Sequence, residues 1–225
     1  MSSDDRPSYT VVVPVYRNEE TLGALVVRLE ELAASLDGAL EAVFVVDGSP
    51  DGSLVALRRL LRDERAFSAQ LVALSRNFGS FSAVKAGLGA ASGEIVAVMA
   101  ADLQEPLSLI EDFFTGLGSG EYDVAVGVRT ARSDPASAAA ASRFFWWIYR
   151  KLVQPEIPPG GVDVFACTRE VAFQLARLDE SHTSLVGLLY WLGFRRLEVP
   201  YVRQARPAGK SAWSLRKRID RKSVV

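Results

Sequence analysis

Two hydrophobic periods alternate along the first 130 positions. Residues 9–13 are an almost unbroken β-branched run closed by Pro14, which predicts a buried strand ending there. Leu22, Leu25, Val26, Leu29, Leu32 and Leu36 then recur at helical spacing, predicting an amphipathic helix over 18–36 that starts near Asn18 or Thr21. Residues 42–46 predict a second strand, closed by the sharp-turn cluster Asp-Gly-Ser-Pro-Asp-Gly. The alternation continues with a helix at 53–65, a strand at 70–74, a helix at 80–91, a strand at 94–99, a helix at 106–118 and a strand at 123–128.

Beyond residue 130 the regularity ends. Residues 133–142 are small and Ala-rich, reading as loop then helix. Residues 143–153 are dense in aromatics, and 155–161 form a loop. Further strands are expected at 162–167 and 197–202, with helices at 169–178 and 182–192 between them. Strands alternating with helices predict an α/β fold with a mostly parallel sheet, helices on both faces and right-handed crossovers. In such sheets ligands bind beyond the carboxyl ends of the strands. The polar clusters fall there: Tyr16–Glu19, Asp47–Asp51, Arg76–Asn77, Asp102–Gln104 and Arg129–Arg132.

Composition narrows the class. The chain has 225 residues, 49% of them hydrophobic, enough for one sizeable domain without covalent staples. Cys167 is its one cysteine, so no intramolecular disulfide forms and a reducing compartment is expected. The polar, acidic start lacks the pattern of a signal peptide. No apolar run reaches the roughly 18–20 residues that span a bilayer. A cytoplasmic protein is expected, peripheral on the membrane face if it meets one. The net charge of −1 argues against a nucleic-acid partner. Basic residues nevertheless crowd the end of the chain: Arg203, Arg206, Lys210, Arg216, Lys217, Arg218, Arg221 and Lys222. Such a segment suits phosphates or an anionic membrane surface. Residues 1–202 are therefore expected to form the domain, with 203–225 as a basic C-terminal segment closing over a diphosphate or touching membrane.

Asp102 follows an apolar strand directly. A carboxylate there can hold a hard cation that bridges a diphosphate, or simply cap the helix beginning near Pro106. Asp47 can accept hydrogen bonds from a base or ribose, or serve its own Asx-turn. Arg76, Asn77 and Lys85 are weak signals alone. The segment Arg203-x-x-Arg206-Pro-Ala-Gly209-Lys210-Ser211 combines cations, hydroxyls and a flexible glycine, as a diphosphate-covering loop needs.

Taken in order, VVVPVYRNEETL, VVDGSPDGS, LSRNFGSFSAVKAGLGAASGE, MAADLQEP, VGVRTAR, WLGFRRLEVPYVRQAR and AGKSAWSLRK resemble glycosyltransferase family 2. The similarity is to the type of dolichyl-phosphate mannose synthase and the bacterial polyprenyl-phosphate glycosyltransferases. It implies a GT-A fold, a divalent metal (Mg2+ or Mn2+), a UDP-, GDP- or dTDP-linked sugar donor and inversion at the anomeric carbon. On that resemblance Pro14, Tyr16, Asn18, Glu19, Asp47, Lys85, Ala101, Asp102 and Lys210 line the nucleotide-sugar. Asp102 and Gln104 hold the metal, and Asp102, Arg129 and Arg206 carry catalysis. Two positions depart from the family pattern: Val46 and Ala100 stand where acids are usual. The loss at Ala100 predicts weak metal binding, or binding mainly as a metal–nucleotide complex.

The resemblance implies a polyprenyl phosphate acceptor, which is anionic and needs no strong base. A small-molecule hydroxyl acceptor is the alternative and needs one; Asp179, Glu180 and His182 are its candidates. A non-catalytic nucleotide-sugar-binding protein is the third reading, motivated by Val46 and Ala100. The aromatics Phe144, Phe145, Trp146, Trp147 and Tyr149 fit a membrane interface or a core helix equally. Relatives of this type often continue into transmembrane helices after the Ser-Leu-Arg-Lys stretch. The sequence leaves open whether this chain is a soluble member or a truncated one.

Overall fold

The structure, a computed structural model, describes residues 7–131, 162–178 and 185–204. The expectations placed on 132–161, on Asp179, Glu180 and His182, and on Arg206, Lys210 and the rest of the basic tail lie outside the described residues.

Seven strands form one sheet in the order β3-β2-β1-β4-β6-β5-β7. They are β1 Tyr9–Val15, β2 Leu40–Asp47, β3 Ser68–Leu74, β4 Ile95–Val98, β5 Val124–Ala131, β6 Val162–Thr168 and β7 Arg196–Val202. Six run parallel; β6 alone is reversed, wedged between β4 and β5. The carboxyl ends of the other six therefore share one edge. The helices are α1 Leu22–Ser35, α2 Ser53–Leu60, α3 Ser80–Ala90, α4 Leu107–Gly118, α5 Arg169–Arg177 and α6 Leu185–Trp191.

Strand alternation splits the buried residues into two cores. On one face Val11, Val13, Val15, Ala42 and Phe44 meet Leu25, Leu29 and Leu32 of α1, Leu57 of α2 and Ile110, Phe113 and Phe114 of α4. On the other, Val12, Val43, Val45, Val96 and Val126 meet Val84 and Leu88 of α3, Leu175 of α5 and Leu189 of α6. Gly87 lets α3 lie close to the sheet, because a β-carbon there would sit 2.2 Å from Val12 Cγ1.

Several expected boundaries move, three of them informatively. Strand β1 does not stop at Pro14 but passes through it to Val15. The reason is directional: the Val12 carbonyl faces β4, where it accepts from Met99 N at 3.0 Å. Pro14, two residues on, faces the same way, but the β1–β4 pairing has already ended at Val12↔Val98. Its missing N–H therefore costs no ladder bond. The first helix opens as a 3-10 turn, Glu19–Thr21, and becomes α1 at Leu22. Helix α2 ends at Leu60, short of the expected 65, because the Arg65 guanidinium turns back to cap the Leu60 carbonyl (Nε–O 3.0 Å).

Candidate active site

The site edge is built by loops bonded to one another. The loops after β1 and β2 are stitched together. Arg17 N donates to Ser49 Oγ at 2.8 Å, Asn18 N to Ser53 Oγ at 3.3 Å and Glu19 N to Asp51 Oδ2 at 3.3 Å. In return Gly52 N donates to Glu19 Oε2 at 2.8 Å. Glu19 thus places its charge at the N-terminus of α2, where the helix dipole favours it. Asn18 Oδ1 accepts from Tyr16 N at 3.1 Å, leaving Arg17 with φ +58°. Glu19 and Asn18 therefore have separate structural tasks.

Asp47 is buried at the end of β2. It serves no turn of its own: Oδ1 accepts from Phe78 N at 2.7 Å and Oδ2 from Gly79 N at 2.9 Å. This carboxylate pins the loop that opens α3. Gly48 allows the approach, with φ +54° and a virtual β-carbon 2.2 Å from the Arg76 carbonyl carbon. Asn77 Nδ2 reaches the Asp47 carbonyl at 3.4 Å, and Arg76 stacks on the exposed Phe78 ring at 4.0 Å.

The loop after β4 carries Asp102. Buried Leu103 adopts φ +61° and roots the loop in the first core. Thr21 Oγ1 donates to the Ala101 carbonyl at 2.7 Å. Arg28, on α1, donates to the carbonyls of Leu103 at 3.3 Å and Glu105 at 3.0 Å. Asp102 Oδ1 accepts from Gln104 N at 3.3 Å, while Pro106 stands at the N-cap of α4 without any side-chain cap. Asp102 is therefore not a helix cap. Its Oδ2 lies 3.9 Å from Arg203 Nη2, just past the end of β7.

The chain leaving β7 is fastened to the same loop. Gln204 N donates to the Gln104 carbonyl at 2.9 Å, and Gln104 Nε2 donates to the Gln204 carbonyl at 3.2 Å. Arg129 on β5 pairs in register with Tyr201 on β7, and its charge acts on the Tyr201 phenol. Burial raises that phenol above its ordinary value. Glu105 lies close to this group, 1% exposed; among the described residues neither carboxylate oxygen has a side-chain hydrogen-bond partner, and only the backbone N–H groups of Glu105 and Ala100 act weakly on it. Burial, then the Asp102 charge, push its carboxyl up to about 7, against the pull of Arg203.

The structure thus gathers Asp102, Gln104 and Arg129 at one place. Pro14, Tyr16, Asn18, Glu19, Asp47 and Ala101 lie on the adjoining strand ends and loops. Lys85 is engaged elsewhere, donating to the Leu178 carbonyl at the end of α5. The sequence reading missed Glu105, Tyr201 and the clamp Arg28; an acid three residues past Asp102 was the available signal. Among the described residues, no group of three His, Cys, Asp or Glu side chains converges as a metal site. Asp102 and Gln104 offer oxygens that suit a hard cation. The set fits a cation arriving with further oxygen ligands of its own, not one held in a closed protein cage.

Comparison with known proteins agrees with this architecture. The family model described as Glycosyl transferase family 2 matches residues 10–175. An uncharacterized glycosyltransferase of Bacillus subtilis is 34% identical over 211 residues, covering 93% of this chain and 64% of its own length. The bactoprenol glucosyl transferase of Shigella phage SfV is 31% identical over 209 residues, covering 91% of this chain and 66% of its own. The chain thus spans a little under two thirds of the length of these relatives. A mannosyltransferase of Pyrobaculum calidifontis, solved in complex with GDP-Man and Mn2+, superposes with a TM-score of 0.62 at 23% identity. That match covers 92% of this chain and 59% of the other, and it establishes a shared fold.

Proposed function

This chain belongs to glycosyl transferase family 2, and from that premise we propose that it is an inverting transferase moving a sugar from a nucleoside diphosphate to polyprenyl phosphate. The observation that carries the reading is Asp102 at the open end of β4, with the Arg203 guanidinium 3.9 Å away. Arg129 lies on β5, in register with Tyr201 of β7, the strand that leads into Arg203. A carboxylate beside cations suits a diphosphate bridged by a divalent metal.

Asp102 and Gln104 would hold the metal, Mg2+ or Mn2+, which when bound neutralises charge on the diphosphate. Arg129 and Arg203 stabilise the charge that develops on the departing nucleoside diphosphate. An acceptor phosphate oxygen attacks the anomeric carbon from the face opposite the leaving group. The new carbon–oxygen bond forms as the old one breaks, and its electron pair leaves on the β-phosphate oxygen. An anionic phosphate needs no proton removed, so no base is required. The relative named for bactoprenol supports a lipid phosphate as acceptor. Among the described residues no helix is long and apolar enough to cross a membrane. The proposed acceptor would bring the protein to a membrane surface.

The test is incubation with UDP-, GDP- and dTDP-sugars, Mg2+ or Mn2+, and polyprenyl phosphate in detergent. Sugar transferred to the lipid phosphate is the expected result. Transfer only to hydroxyl acceptors, or donor binding without turnover, would overturn it.

A further inference from the structure

Arg203 does more than add positive charge to the site edge. Its guanidinium lies against Asp102, with side-chain exposures of 30% for Arg203 and 14% for Asp102. The reciprocal Gln104–Gln204 bonds fix the chain immediately after it to the Asp102 loop. From the other side, Arg28 holds the carbonyls of Leu103 and Glu105. Arg203 is therefore held in place, and its charge reaches the buried Glu105 as well.

We propose that Arg203 is a built-in counter-ion that holds the cation's place beside Asp102, so that the protein admits a metal–nucleotide complex and rejects free metal. This rests on the reading of Asp102 as the residue that meets the cation. A free divalent ion approaching Asp102 must displace or face a guanidinium. It gains little in return, because no third acidic ligand converges among the described residues. A metal–nucleotide complex differs in one respect: its diphosphate takes over the displaced guanidinium, in the geometry to which arginine is best suited. The 3.9 Å separation is an ion pair beyond hydrogen-bond length, so the exchange breaks no hydrogen bond between the two side chains.

The experiment is an Mn2+ titration of the full chain followed by electron paramagnetic resonance, without nucleotide and with UDP, GDP or dTDP. Wild type is compared with Arg203→Gln, Arg203→Met and Asp102→Asn, each checked by thermal melting. Arg203→Met keeps the apolar stem, so one neutral variant remains if the other does not fold. The expected result is free Mn2+ bound about tenfold more tightly by the neutral variants, and Mn2+–nucleotide about tenfold more weakly. Folded neutral variants whose free Mn2+ affinity is unchanged or weaker overturn the proposal. In that case, loss of nucleotide-dependent Mn2+ binding in Asp102→Asn leaves the reading of the site standing. Asp102→Asn that binds Mn2+–nucleotide like wild type overturns both.

Discussion

Two buried glutamates mark opposite edges of the same sheet. Glu41, 4% exposed, sits at the amino end of β2; Glu105, 1% exposed, lies past the carboxyl end of β4. Glu41 accepts four hydrogen bonds: Thr10 Oγ1 at 2.7 Å, Ser92 N at 2.9 Å, Ser92 Oγ at 2.8 Å and Gln70 Nε2 at 2.7 Å. Burial alone would raise its carboxyl, but those donors outweigh burial and hold it below the ordinary glutamate value. Among the described residues Glu105 has only the weak influence of two backbone N–H groups, and burial together with Asp102 carries it the other way, to about 7. The same residue type is a satisfied anchor at one edge and an unsatisfied charge at the other. The closed edge holds the fold together; the open edge keeps electrostatic tension where a charged ligand is expected.

The comparison breaks most visibly at Asp102. Asp102→Asn should lower sugar transfer by about 100- to 1,000-fold, the scale of losing one electrostatic contact in a transition state. Its melting temperature should stay close to wild type, because Asp102 is not a helix cap. Steady-state transfer assays beside thermal melts check this, and a large drop in stability with activity per folded molecule preserved would contradict it.

Glu41→Ala should show the mirror image. Removing the carboxylate strands the Thr10, Gln70 and Ser92 donors in a buried pocket, at a cost of about 3 kcal/mol. Urea unfolding should record that loss, while turnover per folded molecule stays near wild type.

The reverse sign is expected for Glu105→Gln. In metal- and nucleotide-free protein at pH 8, replacing an ionised, poorly partnered carboxylate should stabilise the fold by about 2 kcal/mol. Denaturant midpoints measured side by side with Glu41→Ala test whether the two edges respond in opposite directions. A destabilised Glu105→Gln would show that the Glu105 charge has partners that its geometry does not reveal.

Much of this contrast has no signature in sequence. The strands were legible because β-branched runs end in turn residues, and Asp47, Asp102, Gln104 and Arg129 were legible because they follow those runs. The reversal of β6 was not, since a short apolar strand carries the same pattern in either direction. Nor was the passage of β1 through Pro14, which depends on where the neighbouring strand stops. The Asp102 loop is held by Arg28 from 75 and 77 residues away, and by Gln204 from 100 residues away. Local patterning cannot report contacts of that span. Glu105 illustrates the cost: beside Pro106 it reads as an ordinary helix-start acid, and only the packing around it shows that it is buried.

The finest test of the comparison is pH. Glu41 has a lowered folded-state pKa, so its stabilisation is complete above the ordinary glutamate value of 4.5 and disappears as pH falls through the folded value. Glu105 has a raised one, so its penalty is absent below 4.5, grows as pH rises to about 7, and is constant above that. The stability gap between wild type and Glu41→Gln should therefore be present at pH 7 and shrink as pH falls below 4.5. The gap between wild type and Glu105→Gln should have the opposite sign and open between pH 4.5 and 7. Urea midpoints at half-unit pH steps from 2 to 8 yield both curves. Parallel curves would mean that the two glutamates do not differ in the way their surroundings require. Curves that diverge in these separate windows would assign the acid sensitivity of the fold to its amino edge and the neutral-pH strain to the edge that carries Asp102.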